Sequence, residues 1–120
     1  MSSATGLNHV SVVAHDLEES VAFYVDVLGL EVETEGGSDM ELRCGQVTLD
    51  IFDPSSIGQP FAVSPAGLAL RVPDVDAARA ELESKGVVFD GDTIVTGVCK
   101  QAWFKDPDGN ALMLHRRFDV

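Results

Sequence analysis

Asp50 is the residue of this sequence best placed for chemistry, because it is a carboxylate in the middle of an apolar strand. It lies in the segment VTLDIF, and strand alternation places it on the face opposite Leu49 and Ile51. A charge on a sheltered face needs a partner, and the candidates are His9, Arg71 and a ligand. Asp50 is therefore predicted to bind a cationic or hydroxylated ligand, to ligate a metal, or to act as a lone general base.

The two cysteines, Cys44 and Cys99, offer no comparable chemistry. They form neither a CxxC motif nor a zinc-finger spacing, and no base stands at a defined spacing from either. We expect both to be small buried residues. A disulfide-stabilised scaffold is excluded.

Charge is the strongest signal in the composition. The chain of 120 residues carries 20 acidic and 8 basic side chains, a formal charge of −12. Residues 1–60 contain 11 acids and the single base Arg43, whereas residues 61–120 contain 9 acids and 7 bases. Such a surface repels nucleic acid and anionic membranes and attracts cationic ligands, although solubility alone also explains it.

No segment predicts a membrane span or a leader. The longest uncharged stretch, residues 54–70, is interrupted by Pro, Gly and Ser. The first residues, MSSATGLN, have neither a basic region nor a long apolar run. We therefore expect a cytoplasmic protein.

The elements that position these residues follow from the hydrophobic pattern. In the first half, Asp16 is predicted as a helix N-cap, Glu19 completes a capping box, and Gly29 ends the helix. Residues 36–39 (GGSD) are predicted as a turn. The predicted strands of this half are 6–13, 30–35, 40–44 and 46–52.

The second half repeats the same order. A helix capped by Asp74 or Asp76 and ended by Gly86 follows the first strand, and the turn DPDGN (106–110) joins the last two. The predicted strands are 67–72, 87–90, 98–105 and 111–116. The sequence thus predicts one α+β domain of two modules, 4–53 and 66–118, joined by a linker at 54–65. One helix covers one face of each sheet, so the other face must meet a second module, a partner or a ligand.

Three segments carry a resemblance to a known family: NHVSVVAHDLEESVAFYVDVLGLEV (8–32), LRVPDVDAARAELESKGV (70–87) and WFKDPDGNALML (103–114). They resemble the vicinal oxygen chelate superfamily, which includes glyoxalase I, bleomycin-resistance proteins, extradiol dioxygenases, fosfomycin-resistance enzymes and methylmalonyl-CoA epimerase. The resemblance implies tandem βαβββ modules, cupped mixed sheets with helices on the outer face, and a homodimer. It does not specify one activity.

The resemblance also implies four metal-ligand positions, which correspond here to His9, Asp50, Gly67 and Met113. Gly67 has no side chain and a thioether is a poor ligand for hard or borderline ions, so we expect no complete metal site and no cofactor. His115 lies two residues beyond Met113. A displaced divalent-metal site of His9, Asp50 and His115 is the alternative.

The aromatic signature FxDPDGN assigns Phe104 to the core, which leaves Trp103 facing the cup. There the only tryptophan would form an aromatic wall for a planar ligand, although an inter-module or dimer contact explains it nearly as well. Gly67 and Ala69 leave space beside it. The predicted ligand-binding residues are His9, Ser11, Asp50, Phe52, Arg71, Trp103, Met113 and His115.

Three functions are compatible with these residues. The first is a non-catalytic binding protein of the bleomycin-resistance type that sequesters a cationic aromatic small molecule. The second is a divalent-metal-dependent lyase, isomerase or dioxygenase that uses the displaced site. The third is a regulatory or interaction domain with an empty cup. No residue is assigned a catalytic role.

Overall fold

The computed structural model describes residues 3–118 and divides into two compact units between Ala62 and Val63. Each unit has the order strand, helix, three strands. Each forms one four-stranded mixed sheet, which confirms the predicted α+β class with tandem βαβββ modules. In the described part of the chain, no helix is long and apolar enough to span a membrane.

The first unit has a sheet of strand order β1-β4-β3-β2, in which β1 and β4 are parallel and the other pairs are antiparallel. Its helix continues into a π-helical segment at Phe23–Val27, and a 3-10 helix at Pro54–Ile57 follows the last strand. Its elements are β1 (His9–Val13), α1 (Leu17–Ala22), β2 (Glu31–Glu35), β3 (Asp39–Cys44) and β4 (Val47–Phe52).

The second unit repeats this topology with the strand order β5-β8-β7-β6, again with one parallel pair, β5 and β8. Helix α2 packs against β7 and β8. The elements are β5 (Leu68–Arg71), α2 (Val75–Ser84), β6 (Ile94–Val95), β7 (Cys99–Lys105) and β8 (Ala111–Arg117).

Both helices begin at aspartate caps. Oδ1 of Asp16 accepts a hydrogen bond from the backbone N–H of Glu19 at 3.1 Å, as predicted. Oδ1 of Asp74 accepts one from Ala77 at 3.0 Å, so Asp74 rather than Asp76 is the cap of α2. Each bond satisfies one of the backbone donors that a helix start leaves unpaired.

The hairpin of β7 and β8 is closed by a buried side-chain network in the predicted DPDGN turn. Oδ1 of Asp106 accepts from the backbone N–H groups of Asp108 and Asn110 at 3.0 and 2.9 Å. The Asn110 amide donates to Oδ2 of Asp106 at 2.8 Å. This network fixes where β8 starts, and thereby which of its residues lie on each face.

Each sheet has one buried face and one more exposed face, which is called its open face below. Alternate residues of the central strands are almost fully buried, whereas their neighbours in sequence are half-buried or exposed. The buried set is Leu42, Leu49 and Ile51 in the first unit, and Ala102, Phe104, Leu112 and Leu114 in the second.

The strand predicted at 87–90 is wrong. This segment is irregular, and the strand that pairs with β7 is the two-residue β6. Phe89 accounts for the difference, because its ring is buried 5.2 Å from that of Phe104 and lies 4.7 Å from the guanidinium of Arg79. Burial of the Phe89 side chain therefore fixes this segment, whereas Val88 is exposed.

Candidate functional site

The open face of the first sheet brings together four of the predicted ligand-binding residues. Ser11 pairs with Asp50 across β1 and β4, and His9 and Phe52 lie two positions away on the same face. Asp50 and Phe52 are half-buried, whereas His9 and Ser11 are exposed. The predicted orientation of Asp50, opposite to Leu49 and Ile51, is therefore confirmed.

Two acids, Asp39 and Glu41, lie close to Asp50. Burial, followed by hydrogen bonding to and charge repulsion from the carboxyl of Asp39, raises the pKa of Asp50 to about 6. Glu41, directly opposite on β3, raises this pKa further, whereas His9 lowers it. Oδ1 of Asp50 is buried with no hydrogen-bond partner among the described residues, which adds to the cost of ionising this carboxyl.

Asp39 is a site residue that the sequence reasoning missed. The segment GGSD was predicted as a turn, but Asp39 is the first residue of β3 and pairs with Phe52. The hairpin register contained the signal. Because Cys44 pairs with Val47, counting outward places residue 41 opposite 50 and residue 39 opposite 52.

The open face of the second sheet carries the other four predicted residues. Trp103 pairs with Met113 across β7 and β8, and Arg71 pairs with His115 across β5 and β8. Gln101, which was not predicted, pairs with His115 from the other side. Strand alternation from Trp103 could have identified Gln101.

Trp103 is packed directly on the backbone of Gly67. A Cβ atom at Gly67 would collide with Cζ3 and Cη2 of the indole and would lie 2.8 Å from Cε of Met113. The space that Gly67 leaves is therefore filled by the side chains of Trp103 and Met113. A glycine is required here for the close approach of an aromatic ring to the backbone.

A depression of about 560 Å³ opens beside this ring within the second unit. The Nζ atom of Lys105 and Oδ2 of Asp90 form an ion pair of 3.0 Å in its wall, so the two charges compensate each other. The lining also includes Val63, Pro65, Ile94, Trp103 and Ala111. Most of the exposed lining is therefore apolar, and it includes the indole of Trp103.

The sequence model of the Glyoxalase/Bleomycin resistance protein/Dioxygenase superfamily matches residues 6–114. The chain belongs to this superfamily. The predicted resemblance is thereby confirmed for nearly the whole chain, and superfamily membership agrees with the tandem βαβββ topology.

Three similar proteins illustrate the range of similarity. YaeR, an uncharacterized protein of Escherichia coli (strain K12), is 32% identical over 124 residues, covering 92% of this chain and 95% of YaeR. Glutathione transferase FosA of Serratia marcescens is 29% identical, covering 91% of this chain and 79% of FosA. The crystal structure of TnmS3, an antibiotic binding protein from Streptomyces sp. CB03234, superposes with a TM-score of 0.80 at 29% identity, covering 98% and 99% of the two chains.

The superfamily implies a metal ion held by side chains at four positions, but two of the residues at these positions here are unsuited to bind a metal. Gly67 offers no donor atom and is covered by the indole, and Met113 offers only a thioether. His115, the ligand proposed for the displaced site, lies on β8 opposite the cationic Arg71 of β5. A positive charge at this place disfavours a metal ion nearby. Within the described residues, no group of three or more His, Cys, Asp or Glu is placed to hold a metal ion.

The two cysteines differ in their burial. Cys99 is buried, as predicted, and hydrogen bonds with Thr96 and Gln101 lower the pKa of its thiol. Cys44 is half-buried rather than buried. Cys99 accepts a hydrogen bond from the side chain of Gln101, which in turn accepts one from Trp103. Cys99 is thereby connected to the site.

Proposed function

We propose that this protein binds a flat, cationic aromatic small molecule and does not transform it. The observation that carries the proposal is Trp103, a half-buried indole that forms one wall of an open depression. The exposed face of such a ring stacks on planar ligands, because its π system favours offset contact with another aromatic system.

The size and lining of the depression support a small molecule as the ligand. About 560 Å³ lies within the usual range for pockets that hold drug-sized compounds, roughly 300–1,000 Å³. Apolar side chains dominate such pockets, with a few polar groups that orient the ligand. Lys105 and Asp90 supply polar groups here without a net charge.

The charge of the chain supports a cation. A formal charge of −12 creates a negative field that raises the local concentration of cationic ligands and speeds their capture. The relative TnmS3 is an antibiotic binding protein, which makes sequestration a reasonable role for a protein with this fold. A cytoplasmic homodimer is part of the proposal, and sedimentation analysis tests the dimer.

The experiment compares two planar tricyclic compounds by calorimetry at neutral pH: acridine orange, which is cationic, and acridine, which is neutral. We expect both to bind, acridine orange more tightly. Trp103→Leu should weaken binding about tenfold or more, equivalent to roughly 1.4 kcal/mol. The matched control is Phe118→Leu, which removes an exposed aromatic ring outside the depression and should leave affinity unchanged.

The metal-dependent lyase, isomerase or dioxygenase is tested with the same chelator-treated protein. We expect no tight stoichiometric binding of nickel, zinc, cobalt, manganese or anaerobic ferrous iron. Tight binding that is lost in His9→Ala would replace the proposal with the enzyme hypothesis. An absence of affinity for both metals and acridines would instead favour an interaction domain.

A further inference from the structure

The indole of Trp103 is held at the edge that carries its nitrogen. Its Nε1–H donates to Oε1 of Gln101 at 2.6 Å, and both side chains project from the same face of β7. Because an indole nitrogen can only donate, the acceptor oxygen of the Gln101 amide must face it. The amide nitrogen is then directed to Sγ of Cys99, at 3.5 Å.

The chain of hydrogen bonds continues from Gln101 to Cys99 and Thr96. Sγ of Cys99 lies 3.3 Å from Oγ1 of Thr96, which also accepts from the backbone N–H of Cys99 at 3.0 Å. Thr96 is thereby fixed to the backbone at the start of β7. The amide of Gln101 is held from both sides, so its oxygen is a rigid acceptor for Trp103.

The opposite edge of the indole is held by packing against Gly67 and Met113. Cζ3 and Cη2, at the far end of the six-membered ring, rest where a Cβ of Gly67 would be. Cε of Met113 fills the adjacent space. The ring is therefore restrained at its nitrogen edge by Gln101 and at its benzene edge by Gly67.

We propose that Gln101 and Gly67 are positioning residues that fix the plane of Trp103 and thereby select flat aromatic ligands for the depression. The ligand part of this inference rests on the proposed function. A ring that is already immobilised loses little conformational freedom when a ligand stacks on it. A mobile indole would bind more weakly and would adapt to ligands that are not flat.

The test compares two nearly isosteric replacements of a half-buried surface residue. Gln101→Met removes the acceptor, whereas Gln101→Glu keeps an acceptor oxygen for the indole. Because Trp103 is the only tryptophan, its near-ultraviolet circular dichroism bands report its immobilisation without any ligand. We expect these bands to weaken in Gln101→Met and to persist in Gln101→Glu, with an unchanged far-ultraviolet spectrum in both.

Affinity for acridine is the second measurement, and neutral acridine avoids the added charge of the glutamate. We expect Gln101→Met to bind about threefold to tenfold more weakly, the range of one lost hydrogen bond, and Gln101→Glu to bind as the unaltered protein does. Unchanged indole bands in Gln101→Met would overturn the positioning role. Weakened bands with unchanged affinity would overturn the selection of flat ligands.

Failure of this inference is distinguishable from failure of the proposed function. If the unaltered protein binds no acridine, the proposed function and ligand selection both fail, and the indole bands still decide whether Gln101 positions Trp103. Gly67→Ala gives an independent check, because the added Cβ must displace the benzene edge and should also weaken the bands.

Discussion

The open face of the first sheet carries Glu41 opposite Asp50 at its centre, whereas that of the second carries Trp103 opposite Met113. The strands around them have the same order and the same mixture of parallel and antiparallel pairs. One fold thus displays carboxylates in the first unit and an aromatic platform in the second.

The two faces also differ in how completely their side chains are satisfied. Oδ1 of Asp50 is buried without a hydrogen-bond partner among the described residues, and neighbouring acids disfavour ionisation of this carboxyl. The indole of Trp103 is bonded at one edge and packed at the other. The first face therefore carries an electrostatic cost, while the second is ordered before any ligand arrives.

Gly67→Ala should have the largest effect on stability. The new Cβ must displace Trp103 and Met113 from a packed position, and overpacking of this kind costs about 1–3 kcal/mol. Denaturant unfolding measures the loss. Gly97→Ala is the matched control, since a Cβ at Gly97 meets nothing within 4 Å.

The cause of this loss can be isolated with a double-mutant cycle. In a Trp103→Leu background, Gly67→Ala should cost much less, because the colliding ring is gone. An equal cost in both backgrounds would show that the indole is not what Gly67 accommodates. The claim that packing on Gly67 orders the indole of the second open face would then be wrong.

Asp50→Asn should stabilise the protein at neutral pH, by on the order of 1 kcal/mol after allowance for solvent screening. The pKa of Asp50 is about 6 in the folded protein against 3.8 ordinarily, so the folded state binds more protons between these values. The free energy of unfolding of the unaltered protein therefore falls as pH rises from about 4 to about 6. Above pH 6 it is lowered by the full cost of ionising Asp50 in the folded protein. Asparagine cannot ionise and avoids it.

Unfolding measurements across this pH range check the sign. The advantage of Asp50→Asn should shrink as pH falls from about 6 towards 4. Asp53→Asn is the opposite control, because hydrogen bonds from Ser55 lower the pKa of Asp53, and its loss should destabilise at neutral pH. A pH-independent advantage of Asp50→Asn would mean that proton binding by Asp50 is not its cause.

Most of the fold was predictable because local signals agree with it. Strand alternation, the Asp16 and Asp74 caps and the DPDGN turn identify the elements of the described residues except the strand β6 and the 3-10 helix at Pro54–Ile57. The strand prediction at 87–90 was wrong because Phe89 serves a tertiary contact, while its neighbour Val88 is exposed. Alternation cannot distinguish a short strand from a loop that buries one phenylalanine.

The sequence predicted the sheet face on which each site residue lies, but not the side chains that surround it. Alternation placed Asp50 and Trp103 on the open faces of their sheets, since a side-chain period of two follows from the backbone. The partner Asp39 was hidden in a segment with turn composition, although the hairpin register implied it. The role of Gly67 lay beyond the sequence, because the approach of an indole to a glycine is a tertiary contact.

Salt should have the smallest effect, and it tests whether the acidity of the first unit serves capture. Raising salt to about 0.15 M, where charges are screened beyond about 8 Å, should slow association of acridine orange about threefold. Association of neutral acridine should not change. Stopped-flow quenching of Trp103 measures both rates.

Replacing two exposed acids of β2 by glutamine, Glu31→Gln with Glu35→Gln, should reproduce part of the salt effect at low ionic strength. The dissociation rate should stay constant, because neither residue lines the depression. Equal salt dependence for the cationic and the neutral compound would show that the 11 acids of residues 1–60 serve solubility alone. The aromatic face of the second unit would then account for binding without electrostatic help from the first.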